Sequence, residues 1–181
     1  MPKNILTLYH GSTFLFTDID VSKGKAYKDF GMGFYTTKIR SHAVNLALRN
    51  KRIEDMRFSR QIDRKSAAYL YTYALDLSQL QGLTIKEFHS ADKDWMQFVL
   101  YNRKSGSKAH DYDIVIGPTA DDDTRLTIRA YFAGAYGDIE SDNAINTLIS
   151  QIESENLPPQ FYFGSNKAAS LLIPKNEVTR L

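Results

Sequence analysis

The sequence contains no cysteine, which excludes a disulfide framework, a thiolate zinc site and a cysteine nucleophile. Only four histidines are present. Metal chemistry would therefore rest on carboxylates, and none of these has ligand spacing, so no metal is expected. Long apolar runs are missing too: the longest, such as Ser170 to Pro174, are far too short for a bilayer span. Met1 to Gly11 has neither the basic start nor the long apolar stretch and cleavage site of a secretory leader. Neither sign of charge dominates. Lys plus Arg number 23 and Asp plus Glu 21, a net charge of +2 that makes no case for a polyanion partner. What remains is a chain of 181 residues, 43% hydrophobic, 12% aromatic and 24% charged. That profile predicts one domain over 1–181, cytoplasmic, without a membrane partner and able to bury its own core.

The charge is uneven along the chain. Lys38 to Lys65 holds Lys38, Arg40, Arg49, Lys51, Arg52, Arg57, Arg60, Arg64 and Lys65 against Glu54, Asp55 and Asp63. Ala130 to Asn166 has no Lys or Arg, yet carries Asp138, Glu140, Asp142, Glu153 and Glu155. A basic segment of this kind either steers an anionic ligand such as a dinucleotide or forms a solvated helix face.

No repeat or linker divides the chain. Short apolar or alternating runs predict strands at Ile5 to Tyr9, Phe34 to Thr37, Ala67 to Leu77, Leu83 to Phe88, Tyr112 to Gly117, Gln160 to Phe163 and Glu177 to Leu181. Within Ala67 to Leu77, Tyr69, Tyr71 and Tyr73 share one face and Leu70 takes the other. Helical spacing predicts Ser41 to Arg52, with Ala43, Leu46 and Ala47 inward, and Asp92 to Lys104, with Trp95, Phe98, Val99 and Asn102 inward. Thr119 to Ala135, Asn143 to Glu155 and Asn166 to Leu172 also read as helices, and Pro158-Pro159 stops the second of these. Strands and helices mix without regular β-α-β alternation, so the expected class is α+β.

Three segments place polar or aromatic side chains at the ends of apolar strands: Leu8-Tyr9-His10-Gly11-Ser12, Asp29-Phe30-Gly31-Met32-Gly33-Phe34-Tyr35-Thr36-Thr37, and Pro159-Gln160-Phe161-Tyr162-Phe163. His10, leaving a buried strand before Gly-Ser, can donate to a ligand hydroxyl, and Gly11 lets a backbone approach closely. Tyr35 is either a stacking surface for a planar ring or a core tyrosine. The Gly-x-Gly at Gly31 and Gly33 does not continue into a dinucleotide-binding fingerprint.

Taken together, this order of motifs resembles the ADP-ribosyltransferase superfamily, closest to its diphtheria-toxin-like and poly(ADP-ribose)-polymerase-like branch. Trp95 to Arg103, Tyr112 to Asp122 and Gln160 to Leu172 extend the resemblance to a bacterial, toxin-like family often paired with small antitoxins. The resemblance implies a split β-sandwich flanked by helices, holding NAD as substrate in a cleft between two small sheets. It implies that His10 bonds a ribose hydroxyl, that the Gly11 backbone holds the carboxamide beside Ser12 and Gly33, and that Tyr35 stacks on nicotinamide. The triad's glutamate falls at Gln160, a His-Tyr-Gln variant. A neutral amide gives up a charge-assisted bond worth about 1.5–3 kcal/mol, roughly one to two decades in rate. On that ground Gln160→Glu should keep or raise NAD cleavage.

The second stacking wall is absent, because Ala43 and Leu46 stand where the related polymerases carry serine and tyrosine; Trp95 is a candidate replacement. Asn102 and Arg103 could hold the diphosphate or cap their helix. Asp121 and Asp122 supply a missing negative charge or cap the following helix. The activity implied is cleavage of the nicotinamide–ribose bond with transfer of ADP-ribose to a protein or nucleic acid acceptor. The alternatives are an NAD glycohydrolase and a catalytically weak NAD-binding module.

Overall fold

The structure is a computed structural model, describing residues 4–58, 66–106, 109–120, 122–152 and 157–181. β1 (Ile5–Ser12) pairs antiparallel with β3 (Tyr69–Asp76) along its whole length, from Ile5 opposite Asp76 to Ser12 opposite Tyr69. β1 therefore runs through His10-Gly11-Ser12 rather than stopping at Tyr9. A long partner strand satisfies its backbone where the local Gly-Ser signal predicts an end. The alternation holds as expected: Leu8, His10, Tyr71 and Tyr73 take one face, while Gly11 and Leu70 take the other.

β2 (Phe34–Thr37) pairs with β6 (Pro159–Phe163), and β6 with β5 (Ile114–Pro118), both antiparallel, while β4 (Ile85–Glu87) adds to β5 in parallel. Two-residue strands, β7 (Ile173–Pro174) and β8 (Thr179–Arg180), finish the other edge against β3. The order is β4-β5-β6-β2-β1-β3-β7, a mixed eight-stranded sheet. Its two halves meet through one residue pair, Tyr9 opposite Thr37. Beyond that pair, toward Ser12 and Phe34, β1 and β2 part.

α1 (Arg40–Arg57) lies over β1 and buries Ala43 and Ala47. Leu46, expected inside, is 38% exposed. Space explains the correction: a Cβ on Gly11 would sit 2.0 Å from the Ala43 carbonyl oxygen and 3.1 Å from the Ala47 Cβ. Helix and strand touch through their backbones, leaving no room for a leucine at the contact.

α2 (Lys93–Ser105), α3 (Asp122–Phe132) and α4 (Asp142–Ser150) cover the same face of the other half-sheet. The Asp92 carboxylate accepts from Trp95 N at 2.9 Å to open α2, and the Ser141 hydroxyl accepts from Ala144 N at 3.2 Å to open α4. Gly106, at φ 68°, ends α2 in the left-handed conformation and donates its N–H to Asn102 O. Trp95, Met96, Val99, Tyr131, Leu148 and Tyr162 centre one core. Leu8, Phe34, Tyr73, Phe161, Phe163 and Leu172, with the short α5 (Asn166–Ala169), form a second on the opposite face. No helix among the described residues is long and apolar enough to cross a membrane.

Candidate functional site

His10 stands where the two half-sheets part. Its ring stacks on Phe34 at 4.2 Å between centroids and meets the edges of Phe16 and Tyr71 at about 6 Å. Nδ1 lies 2.6 Å from the Tyr35 carbonyl oxygen. A carbonyl only accepts, so Nδ1 carries the proton and Nε2 is left as an acceptor. The histidine expected to donate to a hydroxyl is thus set to accept from one. Burial among the aromatic rings lowers its pKa to about 4, against a smaller opposing effect of the Tyr35 carbonyl.

A pH dependence follows. Unfolded His10 takes a proton near the ordinary imidazole value of 6.5, while folded His10 resists it until about pH 4. Stability from this group is therefore complete above pH 6.5 and is lost as pH falls to about 4, a total on the order of 3 kcal/mol. Urea unfolding at pH 7 and at pH 4.5 should show a larger acid loss for wild type than for His10→Asn. Equal losses would mean that His10 titrates normally.

The Tyr35 side chain leaves β2 on the face opposite His10. Its hydroxyl donates to Gly31 O at 2.6 Å and accepts from Phe30 N at 3.0 Å, and its ring meets Tyr162 edge-on at 5.2 Å. Burial, reinforced by the Asp29 carboxylate, pushes its pKa well above the usual phenol range, so it stays neutral. Tyr35 thereby pins the turn at Gly31, whose φ of 87° only glycine adopts readily. Gly33 is there for packing, since a Cβ would meet the Tyr162 ring at 2.3 Å. Ser12 accepts from Phe14 N at 3.0 Å and shapes the loop after β1.

Gln160 lies opposite Thr37, hence on the Tyr35 face, and is 8% exposed. Its Nε2 donates to Asp29 Oδ2 at 3.0 Å and to Pro118 O at 3.3 Å. Asp29 is itself buried, and its other oxygen takes two donors of Arg103, with Nε at 2.9 Å. Ala120 N adds a bond to Oδ2 at 3.2 Å. Asp29 carries no signal of this role in the sequence, because a single Asp before Phe-Gly looks like any loop residue. Only the fold shows that it joins β6, α2 and the turn before β2.

Three expectations are corrected. Trp95 is fully buried and donates Nε1 to Pro118 O at 3.1 Å, so it cannot form a second wall for a ring. Asn102 is fully buried too, with Nδ2 on Phe98 O at 2.9 Å, so it cannot hold a diphosphate. Arg103 neither caps α2 nor offers a free charge, because Asp29 takes it. The hydrophobic spacing that put Trp95 and Asn102 inward was correct, and it is what removes them from a site. Asp121 lies outside the described residues, and Asp122 opens α3. No group of three or more metal-ligating side chains occurs among the described residues. A cavity of about 650 Å³ lies elsewhere, between α2 and the α3–α4 segment, and contains none of His10, Tyr35 or Gln160. Its Lys104 and Glu140 are paired at 2.6 Å, leaving mostly apolar walls with no group set for chemistry.

Fold and site together define a mixed α+β protein with an aromatic-walled histidine at a sheet junction and, on the opposite face of the sheet, a buried carboxylate–amide couple. The chain belongs to the family described as "Protein of unknown function (DUF3990)", whose model matches residues 6–173. No curated protein and no solved structure matches it.

Proposed function

We propose that the protein is an NAD-consuming mono-ADP-ribosyltransferase of toxin-like type, acting in the cytoplasm on a protein or nucleic acid and restrained by a small antitoxin protein. The observation that carries this reading is His10: a neutral imidazole with Nε2 left as acceptor, at the single-pair junction of two half-sheets. Such an acceptor suits a ribose hydroxyl. The parting of β1 and β2 agrees with a split β-sandwich, with His10 at its edge. Gly11, whose lack of a side chain brings α1 against β1, supplies backbone for the carboxamide.

In the proposed reaction nicotinamide leaves with the bonding electron pair and an acceptor attacks the anomeric carbon, releasing its proton to solvent. Positive charge develops on the ribose, where acceptors already aligned before the reaction stabilise it without reorganising. Gln160 brings a neutral oxygen, which favours single transfer over polymer formation. A second reading, an NAD-binding module with little turnover, draws on the same neutrality.

Adenine-labelled NAD, incubated with the purified chain in the presence and absence of cell lysate, separates the outcomes. Label on macromolecules supports transfer, free ADP-ribose indicates a glycohydrolase, and calorimetric binding without turnover indicates the binding module. His10→Ala should lower turnover about 10-fold or more. Absence of both binding and turnover in wild type would overturn the reading.

A further inference from the structure

We infer that Asp29 is a positioning residue that fixes the amide of Gln160 with its nitrogen inward and its oxygen outward, so that the site presents an acceptor there. Its importance to turnover rests on the function proposed above; its geometry does not. An amide can be turned either way, and which way it points decides whether it offers a donor or an acceptor. Here both groups in contact with Nε2, the Asp29 carboxylate at 3.0 Å and the Pro118 carbonyl at 3.3 Å, can only accept. Turning the amide over would set Oε1 against two acceptor oxygens and forfeit both bonds. Among the described residues, Oε1 has no hydrogen-bond donor.

Asp29 can hold the amide because it is held itself. Arg103 Nε and Nη2 both donate to Oδ1, while Ala120 N and Gln160 Nε2 share Oδ2. The guanidinium balances the buried charge and leaves Oδ2 aimed at β6. Negative charge in this couple thus sits on residue 29, with the amide on residue 160. That arrangement changes what Gln160→Glu should do. A second carboxylate would face Asp29 at about contact distance, and like charges so close oppose each other. Moving the charge instead of adding one should recover part of the loss: in the double variant Asp29→Asn/Gln160→Glu, the new amide nitrogen donates to the new carboxylate, while the Pro118 carbonyl and the Ala120 N–H each lose a partner.

Two measurements test the inference on the full chain. The first uses no substrate. In wild type labelled with nitrogen-15 and carbon-13, the Gln160 Nε2 protons should exchange slowly with water and show scalar coupling across the hydrogen bond to the Asp29 carboxylate carbon. Fast exchange without coupling would overturn the orientation, whatever the protein's activity. The second measures nicotinamide release from NAD. Asp29→Asn and Gln160→Glu should each lower kcat about 10-fold with KM within about threefold, and the double variant should turn over about threefold faster than either single one. A double variant no faster than either single one would overturn the positioning role, as would wild-type kcat in Asp29→Asn. If wild type shows the slow amide and its coupling but leaves NAD intact and unbound, the orientation stands and the proposed function fails.

Discussion

Gly11→Ala should lower the unfolding midpoint by roughly 10 °C, corresponding to about 3 kcal/mol for a domain of this size. The new methyl would sit 2.0 Å from the Ala43 carbonyl oxygen and 2.9 Å from its carbon. Both are backbone atoms inside α1, so no rotamer change relieves the clash. β1 cannot retreat, because it is paired with β3 at every residue from Ile5 to Ser12. Relief requires α1 to lift, which would unpack Ala43 and Ala47 from the sheet. Differential scanning calorimetry of the variant checks this directly, and a midpoint within 2 °C of wild type would show that the contact yields easily. Ala43→Gly should not rescue it, since the obstructing atom belongs to the main chain.

Arg103→Met should be at least as damaging, costing about 3–5 kcal/mol. Arg103 and Asp29 have side chains only 14% and 9% exposed. Their attraction is therefore little screened, and neither charge is well solvated. Methionine fills much of the arginine's volume, so the loss is mainly electrostatic: among the described residues the Asp29 carboxylate keeps only Ala120 N and Gln160 Nε2 as donors. Adding Asp29→Asn to Arg103→Met removes the orphaned charge and should recover part of the loss. The two changes will then be strongly non-additive in a double-mutant cycle of urea unfolding. Additive effects would mean that the pair contributes packing and no coupling. By contrast, Lys104→Met should change stability little, because the Lys104–Glu140 pair is solvent-exposed.

Much of the fold was legible because its signals are local. Tyrosines alternating along β3, the apolar spacing of α2, the serine opening α4 and the proline pair at the start of β6 each act within a few residues. The mixed α+β class followed from their order. Boundaries failed where a distant partner decided them. β1 extends through His10-Gly11-Ser12 because β3 lies beside it, and α4 ends at Ser150 before the predicted Glu155. Leu46 turned outward because a helix pressed against a glycine on a strand admits only alanine.

By itself the sequence determined the ingredients: a cysteine-free chain, motifs that carry His10, Tyr35 and Gln160 on short apolar strands, and a helix that buries Trp95. Hydrophobic period and turn chemistry need no long-range information, so these could be read directly. Tertiary structure alone decided what each group can do. It gave His10 a carbonyl at Nδ1 and so made Nε2 an acceptor. It sealed Trp95 and Asn102 away from any ligand. It also brought Asp29 to Gln160 and Arg103, across 131 and 74 positions of the chain. Charge, tautomer and amide orientation depend on neighbours within about 3 Å, and those neighbours are chosen by the packing of the whole sheet.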